Sequence, residues 1–472
     1  MGRIYRFICL ILSMLVICAC QSGHSSIPVV FTPSVFSKTG SKAGKSPARW
    51  WTGFQSQELN DLIDTAFTKN FDLESAWARL DQANALAKEA GALKLPSFST
   101  RAGAARTRSN IKISPLSDTT AASYNTQYET SAAAAWEIDL WGRLSSTAQA
   151  ARLDATAARH ALSAIAISLA AEVSETWFSV LGNRQKLKLY FEQLKVNETY
   201  LKLVQLRFGQ GLVSSLDVYQ QRQRVAATRS LIPLTQARIK AGVNRLGLLT
   251  GFSVLPENLK NSKTDVFPDI PQLPNIGLPA DLLNNRPDVT AALMAIKSAD
   301  LKAFAAVCER FPSLQISASS GYRASNLSNL FENLIWDIIG NVSQILWDGG
   351  KRSAKIARHK AIVKEKMADY AKTVLVAFYE VEDAIMWEDR QQVYLERLDS
   401  QIKYAKMTLN EARLRYLNGL SDYLPVLTSL TSLQQLEQNR IDAKKNLLSR
   451  RIQLHRALAG TWTENLKRTS AK

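Results

Sequence analysis

The chain has 472 residues, 46% apolar and 21% charged, with 21 Gly and 14 Pro, too few of either for a collagenous or broadly disordered protein. Its 59 basic and 41 acidic residues leave a net charge of +18, which suits nucleic acid, an anionic membrane surface or a plain basic exterior equally well. Four cysteines (Cys9, Cys18, Cys20 and Cys308) and four scattered histidines exclude a disulfide framework and lack the spacing of a zinc site, which argues against a metal hydrolase.

The first predicted element is a leader. Arg3 and Arg6 precede the apolar-or-small stretch Phe7 to Ala19, which is too short for the roughly 20 residues of a spanning helix and reads as a secretory signal over residues 1–19. It ends in Ile17, Cys18, Ala19, Cys20, which resembles a bacterial lipobox. The resemblance implies that Cys20 becomes the amino terminus and carries S-diacylglycerol and an N-acyl chain, several chains that together hold a protein on a membrane. Gln21, where an inner-membrane lipoprotein would carry Asp, implies sorting to the outer membrane. Residues 20–55 are then anchor and linker. Within them Gly40 to Ser46 imitates a phosphate-binding loop, but only three residues separate the glycines where cradling needs four, and Pro47 follows. A flexible basic linker explains them better than nucleotide binding. No later run holds eighteen consecutive apolar residues; Ala161 to Ala171 contains Ser163 and Ser168 and stops at Glu172. No spanning helix is expected, so any further insertion into a membrane would need β-strands of about 9–11 residues.

The rest of the chain is one unit written twice. Asp72 to Pro96 and Asp288 to Pro312 share their spacing, and Ala76, Ala83, Ala87 and Ala90 fall on Ala292, Ala299, Ala303 and Ala306. Further on, Glu172 and Val173 fall on Glu380 and Val381, and Leu206, Arg207, Phe208, Gly211 and Leu212 on Leu414, Arg415, Tyr416, Gly419 and Leu420. The offset shortens from 216 to 208 between the two sets, which predicts a longer loop in the first copy around Asn110 to Thr120. The repeats are assigned to 56–252 and 279–462, with a proline-rich crossover over 253–278 and a tail over 463–472.

Each copy predicts helix, two strands, long helix, tight turn, helix. Leu144 to Phe208 has no proline and one glycine, so a single helix of roughly 100 Å is permitted. In the second copy Val363, Met367, Tyr370, Val374, Ala377, Val381 and Ala384 alternate steps of four and three, a coiled-coil seam; Ala155, Ala158, Leu162, Ile165, Leu169 and Val173 are the counterpart. The strands show period two. Tyr124, Thr126, Tyr128, Thr130, Ala132, Ala134, Trp136 and Ile138 alternate with Asn125, Gln127, Glu129 and Ser131. Leu314, Ile316, Ala318 and Tyr322 alternate with Ser313, Gln315, Ser317 and Arg323, and Trp336, Ile338 and Val342 with Asp337, Asn341 and Ser343. Ser97 to Arg108 is the weakest strand, because Arg106 and Arg108 interrupt its apolar face. Four such strands have the length of transmembrane barrel staves, yet four cannot close a barrel, and an open edge in lipid costs several kcal/mol per unpaired backbone group. At least two chains, or three for twelve strands, would have to share one barrel.

These features resemble the TolC and NodT type of outer-membrane efflux channel over nearly everything after the leader. The likeness rests on Trp50, Trp51 and Phe54; on Asn70 to Leu73; on Trp136, Glu137, Ile138, Asp139, Leu140, Trp141, Gly142 and Arg143; on Leu278, Pro279, Leu282, Leu283, Arg286, Pro287 and Asp288; on Phe311 and Pro312; and on Gly349 and Gly350. Ala291, Ala292 and Leu293 depart from the Ala-Glu that usually follows Arg-Pro-Asp. The resemblance implies an α+β membrane protein: a homotrimer with a twelve-strand outer-membrane barrel, four strands per chain, and a periplasmic coiled-coil tunnel of twelve helices. Pro256, Pro268, Pro271, Pro274 and Pro279 would mark the crossover near an equatorial layer. It implies a passive conduit and not an enzyme, with no cofactor beyond the lipid on Cys20. Implied partners are a periplasmic adaptor, an inner-membrane transporter of the resistance-nodulation-division type, and outer-membrane lipid.

The turns Gly209 to Asp217 and Asn418 to Pro425 would then lie at a gated periplasmic tip. Asp217 matches a first-repeat position that in related channels helps hold the tip closed, and it equally suits a helix amino-terminal cap. Tyr416 and Gly419 match the second-repeat pattern. The usual acidic places there hold Pro425 and Thr428, so an acid from that repeat would have to be Asp422. Arg207 and Arg415 could pair with these acids, and Gly211 and Gly419 are turn glycines. Nucleic-acid binding is disfavoured by the dispersed basic residues and the export leader. A lipid-anchored coiled-coil scaffold or adaptor would share the helices but lack lipid-facing strands; a type I protein secretion channel would share the whole plan.

Overall fold

The computed structural model describes residues 49–112, 120–254, 266–271 and 285–460, together with 33, 36, 256, 273, 274, 279, 462, 463, 466 and 468. The expected leader, Cys20, the phosphate-loop imitation, Leu278, Leu282, Leu283 and much of the crossover lie outside these residues. After a 3-10 turn over Trp50–Phe54 come α1 (Gln57–Lys69), α2 (Phe71–Ala92), β1 (Ser97–Lys112), β2 (Thr120–Ile138), α3 (Arg143–Gly209) and α4 (Ser215–Leu249). The second copy supplies α5 (Pro287–Cys308), β3 (Ser313–Ala324), β4 (Leu334–Ser343), α6 (Lys351–Leu417) and α7 (Leu424–Leu458). The duplication is visible in the lengths: α2 and α5 have 22 residues each, α3 and α6 have 67, and α4 and α7 have 35.

The strands do not match in length. β1 and β2 have 16 and 19 residues against 12 and 10 for β3 and β4. The extra residues of the first copy, expected to enlarge a loop, therefore extend the hairpin, with residues 113–119 outside the described set. Strand pairing continues through Ser109 and Asn110 to Lys112 opposite Thr120 and satisfies the backbone there, so a loop of that length is not needed.

Two compact units emerge, each drawing on both repeats. One comprises Leu80–Ala158 and Ala292–Tyr370; the other comprises Val30–Arg79, Arg159–Ala291 and Ala371–Lys472. The first holds an antiparallel sheet in the order β1-β2-β3-β4. The register places Phe98, Tyr124, Tyr128, Trp136, Ile316, Tyr322, Trp336, Ile338 and Val342 on one face and Ser99, Arg101, Glu129, Ser319, Arg323, Asp337 and Asn341 on the other. The isoleucines Ile335 and Ile339 also fall on the polar face. The apolar face is bare within the chain: Phe98 is 79%, Trp336 68% and Ile338 70% exposed. Where strand meets helix, Asp139 accepts from the backbone N–H groups of Leu144 and Ser145 at 2.9 and 2.7 Å and so caps α3. Asp348 does the same for α6 through the backbone N–H groups of Gly350 and Arg352 at 3.0 and 3.1 Å. Trp141 stacks on Phe311 and donates from its indole Nε1 to the carbonyl of Pro312 at 2.7 Å, which gives the paired Trp-Gly and Phe-Pro motifs a packing role.

The second unit has an aromatic core. Trp50, Trp51 and Phe54 are buried; Trp50 stacks on His455, and Trp51 packs edge-on against Phe67 and Trp462. Arg286 is buried, donates to both oxygens of Asp288 and to the carbonyl of Ala457 at 3.0 Å, and pairs with Glu380 at 2.8 Å. The Arg-Pro-Asp motif thereby closes the carboxyl end of α7 onto α6. Arg451 and Glu388 form a fully buried ion pair, and Arg451 also reaches the carbonyl of Pro271. The coiled-coil seam lies as expected, with Val363, Tyr370, Val374, Ala377, Val381 and Ala384 buried and Met367 packed beside Val363. An 18-residue stretch of α3 is apolar enough by composition to cross a bilayer, and 61% of it is buried inside the protein, as in a core helix.

Candidate functional site at the helical turns

The two turns share one local solution. At the end of α3 the backbone N–H of Gly211 donates to the carbonyl of Phe208 and that of Leu212 to Arg207, both at 2.9 Å. At the end of α6, Gly419 donates to Tyr416 at 3.2 Å and Leu420 to Arg415 at 2.8 Å. Both are Schellman motifs, and both place glycine at φ 72°, a conformation that costs any residue with a Cβ roughly 1–2 kcal/mol. Gly211 and Gly419 are thus required by the backbone.

The helices that follow start differently. Ser214 caps α4, its hydroxyl accepting from the backbone N–H of Asp217, while the Asp217 carboxylate accepts from the backbone N–H of Ser214 at 3.0 Å; the pair is a complete capping box. Asp217 accordingly sits at the third helical position and Ser214 is the cap. α7 has no side-chain cap; Tyr423 occupies the cap position and Pro425 lies in the first turn, where a missing N–H costs nothing. Asp422 immediately precedes that cap.

The turns pack on one another through Val204, Val218, Ala412, Tyr416, Tyr423 and Val426, with Leu201 and Leu409 at the margin. Arg207 pairs with no acid among the described residues. Its guanidinium lies 4.4 Å from the centroid of the Tyr416 ring and donates to the Tyr416 carbonyl at 3.1 Å. Arg415 pairs with Glu411 at 2.9 Å, an exposed contact of about 0–1 kcal/mol. The Tyr416 and Tyr423 rings meet at 5.3 Å. Burial pushes both phenols up from their ordinary value; Arg207 partly offsets this at Tyr416, while Tyr200, Tyr416 and Asp217 add to it at Tyr423, so both remain neutral. Arg207 Nε, Tyr416 Oη and Ser421 Oγ are buried without a hydrogen-bond partner among the described residues.

Behind this apolar knot runs a polar seam that the sequence reading missed. Tyr423 Oη donates to Gln221 Oε1 at 2.8 Å, and Gln221 Nε2 donates to the carbonyl of Asn197 at 2.7 Å. Asn197 and Gln434 exchange amide hydrogen bonds at 2.9 and 3.3 Å, Asn197 also donates to Thr228 Oγ1 at 2.8 Å, and Arg224 donates twice to Gln434 Oε1. Gln193 extends the chain to the Gln434 carbonyl and Gln438. One signal could have found it: the buried positions of α4 up to Thr235 are Val218, Gln221, Val225, Thr228, Ile232 and Thr235 itself, a heptad seam with polar residues at alternate places. Buried amides at such positions fix register and pairing at some cost in stability.

The family model of the outer membrane efflux protein matches residues 62–252 and 278–460. The chain is 28% identical over 466 residues to the pyoverdine export outer membrane protein OpmQ of Pseudomonas putida, covering 97% of this chain and 98% of that one. It is 29% identical over 419 residues to the toluene efflux pump outer membrane protein TtgF of Pseudomonas putida, covering 88% and 85%. Among solved structures, the outer-membrane channel OprN superposes with a TM-score of 0.85 at 25% identity over 93% of this chain and 99% of that chain. The Campylobacter jejuni CmeC outer membrane channel shares the fold, with a TM-score of 0.83 at 20% identity over 92% and 94%. On the strength of the matched residues, which take in both strand pairs and all four long helices, the chain belongs to the outer membrane efflux protein family.

Proposed function

We propose that three copies of this chain close one twelve-strand barrel in the outer membrane and one twelve-helix periplasmic tunnel, and that this assembly is the passive exit duct of a tripartite efflux pump. The observation that carries the reading is the four-strand sheet, with one apolar face bare and β1 and β4 at its edges. Lipid can cover the face but cannot pair an edge, so neighbouring chains must. A lipid-anchored scaffold would have no use for such a sheet. Cys20 would carry the lipid that tethers each chain, and a periplasmic adaptor and a resistance-nodulation-division transporter would complete the pump. The relatives' cargoes, pyoverdine and toluene, favour small organic compounds as what passes through.

The paired turns would be the gate, with Asp217, Asp422, Arg207, Arg415 and Tyr416 as its polar contacts. Asp422 and Arg415 are exposed and Asp217 half-buried at the turns, where a neighbouring copy can reach them, and this supports contacts between copies there. Native mass spectrometry of the detergent-solubilised protein tests the assembly. A mass of three chains with heat-modifiable migration is expected, and a single-chain particle ends the reading. Crosslinking in cells tests the partners: recovery of a type I secretion ATPase in place of a resistance-nodulation-division transporter would redirect the function to protein export.

A further inference from the structure

The arginines that weakened β1 as a predicted strand carry one more inference. Arg106 and Arg108 lie at even positions of β1 and so share the apolar face with Phe98, Tyr124, Tyr128 and Trp136. They stand near the far end of the β1–β2 hairpin, opposite the ends that join α2 and α3. Both guanidinium groups cover one ring: Arg106 and Arg108 lie 5.5 and 5.8 Å from the centroid of Tyr124, itself 58% exposed. Tyr124 pairs directly with Arg108 across the strands. Among the described strand residues of this face there is no Asp or Glu, whereas on the opposite face Arg101 and Arg323 each lie beside Glu129.

Their height is informative. Phe98 and Trp136 are the aromatic residues of this face nearest the helices, as in the aromatic girdle at a barrel's inner interface, and Trp136 donates from Nε1 to the carbonyl of Lys94 at 2.9 Å. Ten residues at about 3.4 Å each, on a strand tilted by about 40°, rise roughly 26 Å from Phe98 to Arg108, close to the apolar band of about 25 Å in outer-membrane barrels. Arg106 and Arg108 therefore reach the outer interface, about 7 Å apart along the strand, on a surface that looks into lipid. A cation at that depth, with no carboxylate among the described strand residues of its face, suits an anion from the membrane. Guanidinium is the side chain suited to it, since it stacks on an aromatic ring and offers a phosphate two parallel N–H donors.

We propose that Arg106, Arg108 and Tyr124 form a binding site for the phosphate groups of the outer-leaflet glycolipid. The site rests on the reading of the sheet as part of a shared barrel, and the assembly's mass reports that reading independently. The test is native mass spectrometry of the detergent-solubilised full-length channel titrated with bisphosphoryl hexa-acyl lipid A, phosphate-free lipid A or phosphatidylglycerol. Wild type is expected to retain bisphosphoryl lipid A in preference to both others. R106Q/R108Q should bind it about thirtyfold more weakly, the loss that follows from removing two cations at an anionic membrane surface, while R106K/R108K keeps most of the affinity. Unchanged binding by R106Q/R108Q would overturn the site, and equal binding of phosphatidylglycerol would overturn its assignment to the glycolipid. If R106Q/R108Q fails to assemble, the phosphate-free lipid decides on wild type alone, because equal retention removes the phosphate from the account. A mass other than three chains would count against the barrel and not against the arginines.

Discussion

His455 makes the stability of the second unit acid-sensitive by an amount that can be worked out. Its ring is buried against Trp50, with centroids 5.2 Å apart and planes 11° from parallel, and neither ring nitrogen has a hydrogen-bond partner among the described residues. Burial, with Arg451 close by, pulls the imidazole from 6.5 down to about 3. The folded value lies below the unfolded one, so the folded state binds fewer protons and its stability is fully present only above pH 6.5. As the pH falls from 6.5 towards 3, each unit removes about 1.4 kcal/mol. Between pH 7.5 and pH 5.0 the loss is about 2 kcal/mol per chain. H455F keeps a flat ring on Trp50 and cannot titrate. Guanidinium unfolding of the purified channel, followed by tryptophan fluorescence at both pH values, should show the stability of H455F falling by about 2 kcal/mol less per chain than that of wild type. All other titrating groups are common to both proteins, so the difference isolates His455. Equal losses in the two proteins would refute the argument.

Three further outcomes are expected. Y423F leaves Gln221 Oε1 without its 2.8 Å donor inside a buried seam, and should cost about 1–3 kcal/mol, read as faster amide exchange over residues 218–228. D217A with D422A should raise the conductance of the channel in planar bilayers; unchanged conductance would remove both acids from the gate, and D217A alone should still cost up to about 1 kcal/mol through loss of its half of the capping box. G211A and G419A should each lower stability by about 1–2 kcal/mol in thermal unfolding, because both glycines hold φ at 72°, whereas G91A, in α2 with open space around its Cα, should be neutral or stabilising.

Much of this protein is local and was legible in residue order. Strand faces follow from alternation, as Tyr124 to Ile138 and Leu314 to Tyr322 show, and the turn glycines Gly211 and Gly419 follow from where two long periodic stretches stop. The duplication needed only the chain compared with itself. Where the reading erred, a long-range preference had overridden a local one. The ends of the loop expected around Asn110 to Thr120 found strand partners instead, Asn110 opposite Ala122 and Thr120 opposite Lys112. Arg207, a natural partner for a nearby acid on charge alone, lies over Tyr416, 209 residues away, because helix packing puts that ring beneath it.

Sequence by itself determined what depends on neighbours a few residues apart: which face of each strand is apolar, where helices stop, and that one polypeptide supplies only four strands. Tertiary structure alone decided which distant groups meet. Asn197 finds Gln434 across 237 residues and Arg286 finds the Ala457 carbonyl across 171. The heptad spacing of α4 puts Gln221 on a seam but does not name the group it meets there. The side chain's environment is set by the packing of whole helices, and no periodicity within one helix records the partner that another brings.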